Sequence, residues 1–532
     1  MKEIVVGNGS FENLIKGNCL YIDKTKYLYQ LIKKTGVYYF LSRPRRFGKS
    51  LTLRTFEEIF KGNRELFKGL YIDSTDYDWK EYPVIHMDFG SITYISIDNL
   101  RSQIKNIVLE TARKYRVSIP SDYEYNESLR LLIEKLAQRG EKVVVLVDEY
   151  DKILSDNIYN PNIEEIRLVV RDFYSVLKTQ DVNIRFCFLT GVTKFAKLSI
   201  FSTMNNFIDI SMDKDYATML GYTQEELENY FESYIEKGIK ATGIDRVSYL
   251  EKLKNMYDGY RFSPEAQTVY NPVSIGSFFS RGGENFDSYW IETGGTKLLT
   301  DIAKKVHFNI AEDLSMSVNK DKIASFDIVE MTTGNITPLK YKSLLLQTGY
   351  LTIKDSYNNG NELYLGFPNQ EVEQAFSLKL LGVYGGDEAE ESFNSDALAT
   401  QFATGNTKGA IDNLYSVYAA IPYRANQKQI EADYQGMFYA MMIVVHAKVN
   451  LEVVTNHGRI DAVVQTPNHV YIIEFKKDAS AQQALAQIKD KAYWQQYKAW
   501  SSSAQRHIHL VGINFSTKDR NITSWQEELL AL

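Results

Sequence analysis

Short apolar runs alternate with stretches of helical periodicity through positions 1–220. The runs are Val37–Leu41, Val84–Asp88, Val143–Val147 and Ile184–Thr190. Each is apolar almost throughout, the pattern of strands buried on both faces. Leu51–Phe60, Asn99–Tyr115 and Ile163–Leu177 instead space their apolar residues as amphipathic helices do. Strands alternating with helices predict an α/β domain with a parallel sheet.

From Thr223 to Lys305 the pattern is mainly helical, opening on Thr223 with Glu226 three residues on, a capping-box signature. Tyr257–Phe262 and Tyr270-Asn271-Pro272 read as turns between helices. Leu351–Ile353 and Leu363–Leu365 flank the polar loop Asp355–Asn361, which predicts a hairpin. Gly382–Ser395 is Gly-rich and acidic, the best linker candidate. Beyond it the order is helix (Ala410–Val445), three strands (Asn450–Val454, Arg459–Val464, Val470–Phe475), helix (Ala479–Tyr497) and strand (His507–Asn514). The pattern divides the chain into an α/β domain (1–220), a helical domain (221–310), a connecting region (311–390) and a second α/β domain (391–532).

A length of 532 residues supports this division, because a single core stops growing at roughly 250–300 residues. The hydrophobic fraction of 44% lets each region bury an ordinary core. A net charge of −6 lacks the basic balance of many nucleic-acid binders. It does not exclude such binding, which depends on local basic patches and on metals that offset clustered carboxylates. The two cysteines, Cys19 and Cys187, provide neither a disulfide framework nor a cysteine zinc site, which fits a reducing compartment. Met1–Gly7 lacks the apolar region of a signal peptide, and Phe438–Val445 is too short to span a bilayer. A soluble cytoplasmic protein with no membrane association is expected.

The strand Val37–Leu41 leads into Ser42-Arg43-Pro44-Arg45-Arg46-Phe47-Gly48-Lys49-Ser50, and a helix begins at Leu51. The phosphate-loop consensus is G-x-x-x-x-G-K-[ST] between a strand and a helix. Gly48, Lys49 and Ser50 match, whereas Arg43 stands at the first glycine position. Backbone N–H groups from Arg45, Arg46, Phe47, Gly48 and Leu51 would face the anion. Lys49 would reach the β and γ phosphates of ATP, and Ser50 would hold Mg²⁺. Arg43, Arg45 and Arg46 add positive charge. A lone Gly-Lys-Ser also fits a basic surface turn. The run Val143–Val147 tips the balance, because it ends in Asp148-Glu149. An acid at a strand end binds Mg²⁺, and the adjacent Glu149 orients and deprotonates the attacking water. Val84–Asp88 lies between the two motifs along the chain, pointing to the P-loop branch with an extra strand between Walker A and Walker B. Thr190, ending the next strand, is a candidate γ-phosphate sensor, with a plain turn residue as the alternative. Arg167 and Arg171, four apart on one helix face, read as an exposed salt-bridged surface or as an arginine finger toward a neighbour.

Several runs together resemble the AAA-ATPase-like proteins common in gut anaerobes and related bacteria. They are Tyr21–Thr25, Arg43–Ser50, Leu189–Phe195, Asp258–Phe262, Tyr270–Pro272 and Gly366–Asn369. The resemblance covers nearly the whole chain, and Arg43 is typical of it. It implies an ASCE/AAA-like P-loop NTPase core followed by a helical lid-like or winged-helix-like region.

Near the other end, Asp461 lies in one candidate strand, while Glu474 and Lys476 lie in the next. Residues two apart on a strand share a face, so Glu474 and Lys476 point the same way, and a neighbouring strand can bring Asp461 beside them. Two carboxylates suit Mg²⁺ or Mn²⁺. Such a metal activates water and offsets charge developing on a phosphodiester, with Lys476 supporting the transition state. The motif alone also fits an ordinary charged strand end. The order of elements resembles the restriction-endonuclease-like core of the PD-(D/E)xK nuclease superfamily. That resemblance implies a catalytic set of Asp461, Glu474 and Lys476, with Glu431 on the preceding helix as a further metal ligand or support. It also implies that Gln487 and Tyr493 of the following helix lie near the site. Ile460 stands where the motif name has proline.

The expectation is an ATPase, with Glu149 as its base, coupled to a Mg²⁺- or Mn²⁺-dependent nuclease acting on DNA ahead of RNA, in a chain that forms a homo-oligomer. The alternative is a nucleotide-controlled switch whose nuclease-like domain binds nucleic acid without cutting it. A phosphotransferase is a third reading, disfavoured by the Asp148-Glu149 pair.

Overall fold

The computed structural model describes residues 1–7, 9–34, 36–195, 207–290, 302, 316–323, 337–385, 393–420, 437–438, 440–442, 448–455, 458–498 and 506–530. They form two compact units, one of Met1–Trp290 with Ser317–Glu371 and one of Ile291–Met316 with Val372–Leu532.

The first unit is built on the apolar runs. They form β1 (Tyr38–Ser42), β2 (Val84–Asp88), β3 (Val143–Asp148) and β4 (Ile184–Gly191), with a short β5 (Phe207–Asp209) beside β1. All five strands are parallel, in the order β2-β3-β4-β1-β5. Val143 to Asp148 are buried without a break, as a strand covered on both faces must be. Lys49–Phe60, Ile97–Lys114, Tyr125–Ala137 and Ile163–Thr179 are the main helices between strands. The strand seated between β1 and β3 is β4, whereas β2 pairs with the outer side of β3. Parallel direction brings the C-terminal ends of all strands to one edge, where open α/β sheets bind ligands. Ser42, Asp88, Asp148 and Gly191 end β1 to β4 at that edge.

Three further helices, Gln224–Thr242, Arg246–Tyr257 and Pro272–Ser280, form the helical part of this unit. The capping box is present: the Thr223 N–H donates to Glu226 Oε2 (2.8 Å) and the Glu226 N–H to Thr223 Oγ1 (3.2 Å). Asn271 caps the third helix, where Pro272 takes the first turn. Leu227, Phe231, Ile235, Tyr249, Leu253 and Phe278 make its core. A small sheet of β6 (Val318–Asn319), β7 (Thr352–Tyr357) and β8 (Glu362–Gly366) completes the unit. The β7–β8 hairpin turns through Asn358, Asn359 and Gly360, all with positive φ.

In the second unit β9 (Lys448–Thr455), β10 (Gly458–Gln465), β11 (His469–Lys477), β12 (His507–Ser516) and β13 (Asn521–Leu530) form a mixed sheet in the order β13-β12-β11-β10-β9. Only β11 and β12 run parallel, joined through the crossover helix Ala481–Asp490. Ile460, Val470, Ile472 and Leu510 pack with Ile488 of that helix. The expected helix Ala479–Tyr497 is shorter: it stops at Asp490, Ala492 takes φ 49°, and a 3₁₀ turn follows over Tyr493–Tyr497. The helix Gln370–Gly385 runs into the expected linker, and Ser395 opens another helix capped by Asn394. Much of the expected helix Ala410–Val445, with Glu431, falls outside the described residues.

Glu371 is fully buried and accepts from Ser274 Oγ (2.7 Å) and from the N–H groups of Tyr289 (2.7 Å) and Trp290 (2.9 Å). Burial pushes its carboxyl up from 4.5 to about 7. The folded protein therefore holds this proton to higher pH than the unfolded chain. The stabilisation is full below the unfolded value and is lost as pH rises through about 7. The full difference corresponds to roughly 3 kcal/mol. Glu371→Gln is expected to flatten the fall in urea midpoint between pH 5 and 8. An unchanged slope would remove Glu371 from this account.

Candidate functional site

The loop from β1 to the helix Lys49–Phe60 holds the first set of candidates. Gly48 caps that helix with φ 94°, and a Cβ built on it meets no atom within 4 Å, so the cradle is open there. Arg46 also has positive φ, 67°. Arg45, Arg46 and Ser50 are exposed, Leu51 is half-buried and Phe47 is buried. Phe47 packs edge-on against Tyr260 (4.8 Å) and Phe262 (5.2 Å), so only its backbone can serve a ligand. Lys49 Nζ donates to the carbonyls of Arg43 (3.0 Å) and Pro44 (2.9 Å), folding the side chain across the loop. Burial pushes its ammonium down to about 8, against the opposing pull of Asp148, Asp151 and Glu149. An anionic ligand would raise it again.

The Arg43 side chain does not reach into the cradle. It is 1% exposed and points beneath the loop. Nη1 donates to the carbonyls of Ser42 (2.9 Å) and Ser211 (2.6 Å), and Nη2 to that of Tyr216 (3.2 Å). The guanidinium lies over the Phe262 ring at 4.1 Å. A consensus glycine has no side chain to make these contacts. Gly349 lies under Pro44, where a Cβ would come within 2.7 Å of the ring. The runs Arg43–Phe47 and Tyr260–Phe262 are thus one packed assembly.

At the ends of β2, β3 and β4 the acids and Thr190 meet. Thr190 Oγ1 donates to Asp148 Oδ1 (2.8 Å), and the Glu149 N–H donates to the same oxygen (3.0 Å). Glu149 adopts φ 51°, a left-handed turn that directs the chain away from the sheet. Burial, and then the charge of Asp148, raise its carboxyl above the ordinary range. Asp88 stands opposite Asp148 in the β2–β3 register. Asp88, Asp148 and Ser50 line one open cleft of about 880 Å³. Sequence reasoning overlooked Asp88, although the position ends an apolar run just as Asp148 does. It also overlooked Asp151, which accepts from the N–H groups of Val192 (3.2 Å) and Thr193 (2.7 Å) and so holds the turn after Thr190. Among the described residues no three His, Cys, Asp or Glu side chains are arranged to enclose a metal. Mg²⁺ fits a sparser set, since it keeps waters and takes one or two carboxylates plus phosphate oxygens. Arg167 pairs with Glu164 (2.9 Å) and Arg171 with Asp172 (2.8 Å), the salt-bridged surface reading.

In the second unit, Asp461 of β10 and Glu474 and Lys476 of β11 come together. Asp461 Oδ2 accepts from the Phe475 N–H (2.8 Å), and Lys476 Nζ lies 3.2 Å from Glu474 Oε1. Gln487 Nε2 donates to the same Glu474 oxygen. Glu474 is 2% exposed, and its Oε2 is buried without a hydrogen-bond partner. Burial, followed by the charge of Asp461, pushes its carboxyl up to about 7. A buried carboxylate oxygen without a partner beside a second carboxylate suits a divalent cation. Tyr493 is buried against the core of this unit.

Residues 5–201 match a family model described as "Predicted AAA-ATPase", and residues 429–525 match the PD-(D/E)XK nuclease superfamily. An uncharacterized protein from the vnfD 5′ region of Azotobacter chroococcum mcd 1 is 34% identical over 543 residues, 99% of each chain. Among solved structures, Cdc6p from Pyrobaculum aerophilum aligns over 68% of this chain and 92% of its own, with 12% identity and a TM-score of 0.24. The Aeropyrum pernix Orc1 protein, solved in complex with DNA, aligns over 66% of this chain and 91% of its own, with 10% identity and a TM-score of 0.21. At those scores neither structure bears on the site.

A metal held by Asp461 and Glu474 would stabilise the second unit by roughly 2.7 kcal/mol at about 100 times its dissociation constant. Mn²⁺ is expected to raise the calorimetric midpoint of the wild type by several degrees and to leave that of Glu474→Gln nearly unmoved. An equal shift in the variant would place the metal elsewhere.

Proposed function

The chain belongs to the AAA-ATPase-like family and carries a PD-(D/E)XK nuclease superfamily domain, and from that premise we propose that it hydrolyses ATP to control a metal-dependent cut in DNA or RNA. The observation that carries the first half is the convergence of Lys49, Asp148, Glu149 and Thr190 on one edge of a parallel sheet.

Loop amides and the Gly48 end of the helix bind the β and γ phosphates. Lys49 exchanges the carbonyls of Arg43 and Pro44 for phosphate oxygens. Ser50 and Asp148 would hold Mg²⁺, which supplies charge neutralisation when bound. Glu149 takes the proton from a water attacking the γ-phosphorus, and its raised affinity for a proton suits it to a base at neutral pH. Thr190 holds Asp148 in place and reports on the γ-phosphate.

In the second unit Asp461 and Glu474 would hold Mg²⁺ or Mn²⁺, which activates water and offsets phosphodiester charge when bound. Lys476 stabilises the pentavalent state, Gln487 orients Glu474, and Glu431 is a further candidate ligand. One observation favours the non-cleaving switch: Glu474 Oε1 already accepts from both Lys476 and Gln487. No helix of the described residues is long and apolar enough to cross a membrane. A cytoplasmic location, DNA ahead of RNA as substrate and a homo-oligomeric state complete the reading.

Purified full-length protein is assayed with Mg²⁺ or Mn²⁺ on labelled DNA and RNA, with and without ATP. Lys49→Ala is expected to lower ATP turnover at least 100-fold, and Asp461→Ala to abolish cleavage while nucleic acid remains bound. ATPase activity that survives Lys49→Ala overturns the first assignment. Absence of cleavage under every condition, with binding unchanged in Asp461→Ala, overturns the second and leaves the switch.

A further inference from the structure

A second cavity, of about 1120 Å³ including its open mouth, lies wholly within the first unit beside the start of the loop. The proposed ATPase chemistry does not use it. Its walls combine three kinds of surface. Phe262, Leu346 and Ile353 are apolar. Arg261 and Lys320 bring positive charge. Asp209, Asp213 and Asp321 bring carboxylates, Asp209 paired with Lys194.

Two features set these walls apart from an ordinary crevice. Arg43 and Arg261 both line the cavity, and the Nε of each is buried without a hydrogen-bond partner. Such donors carry a desolvation cost that a bound acceptor can relieve. Lys320 is half-buried and makes no ion pair among the described residues. Cations of this kind call for an anionic group. The apolar wall calls for a flat hydrophobic body, and the carboxylates accept from amino groups on its rim. A few convergent polar groups on a mostly apolar concave wall are the usual make-up of a small-molecule site.

We propose that this cavity binds a nucleoside monophosphate, with the base against Phe262 and Ile353 and the phosphate on Arg261 and Lys320. Two contacts link it to the ATP residues. The Arg43 carbonyl accepts from Lys49 Nζ at 3.0 Å. Gln347, another wall residue, accepts from the Lys194 N–H at 2.7 Å, in the segment that follows Thr190. A ligand here therefore changes ATP turnover, a part of the proposal that rests on the ATPase reading. Binding itself does not rest on it.

The test titrates full-length protein with AMP, GMP, CMP and UMP by calorimetry, with ATPγS saturating the loop. At least one is expected to bind saturably, one per chain. Lys320→Glu and the pocket-filling Ile353→Trp should each weaken it at least tenfold, with ATP affinity unchanged. The same ligand should alter the ATPase rate at least twofold. Three outcomes overturn the site: no saturable binding of any mononucleotide, displacement by ATPγS, or affinity matched by inorganic phosphate alone. Mononucleotide binding in a chain without ATPase activity would leave the site standing and fell the ATPase reading. ATPase activity with no mononucleotide binding would do the reverse.

Discussion

A guanidinium buried beneath the loop that follows β1 organises the first unit. Among the described residues Arg43 has no carboxylate in hydrogen-bond contact; it is held by the carbonyls of Ser42, Ser211 and Tyr216 and by the face of Phe262. Burial lowers its proton affinity to about 9, with the nearby charge of Asp209 opposing. An unpaired buried charge is costly, so the three carbonyls and the ring must stay in place around it. Those partners come from β1, from the segment after β5 and from the turn that carries Tyr260. The one side chain thereby ties the loop to the rest of the unit, and its own carbonyl holds Lys49.

The two units solve the same problem with different sheets. Each must gather carboxylates that repel one another, and each does so where strands meet. In the first unit parallel direction delivers Asp88 and Asp148 to one edge, with Glu149 turned off the end of β3. In the second, Asp461 reaches the backbone of β11 at Phe475, beside Glu474. Both Glu149 and Glu474 hold protons more tightly than ordinary carboxylates, because burial and a neighbouring acid act together. A cation at either place removes that repulsion.

Much of this was legible in the chain. The four apolar runs became β1 to β4 because strands covered on both faces need uninterrupted hydrophobicity. The phosphate-loop tripeptide and Asp148-Glu149 were visible because their chemistry fixes residue type and spacing, and the pair Asp461 and Glu474 because of the order of elements around it. Two strands were not visible. β5 has only three residues, and β13 carries Gln526, Glu527 and Glu528 on an edge strand, where charge replaces alternation. Arg43 was legible only as added positive charge, because only tertiary packing reveals the carbonyls and the ring that hold it. Asp151 likewise acts on a partner 42 residues away, a distance that spacing rules cannot bridge.

The central claim is that the loop works because of Arg43 and not despite it. Equilibrium titration of MgATP into Arg43→Gly, which restores the consensus residue, tests this most directly. The account predicts affinity weakened at least tenfold and a lower thermal midpoint, with far-UV circular dichroism unchanged at the titration temperature. Equal or tighter MgATP binding with an unchanged midpoint would contradict it.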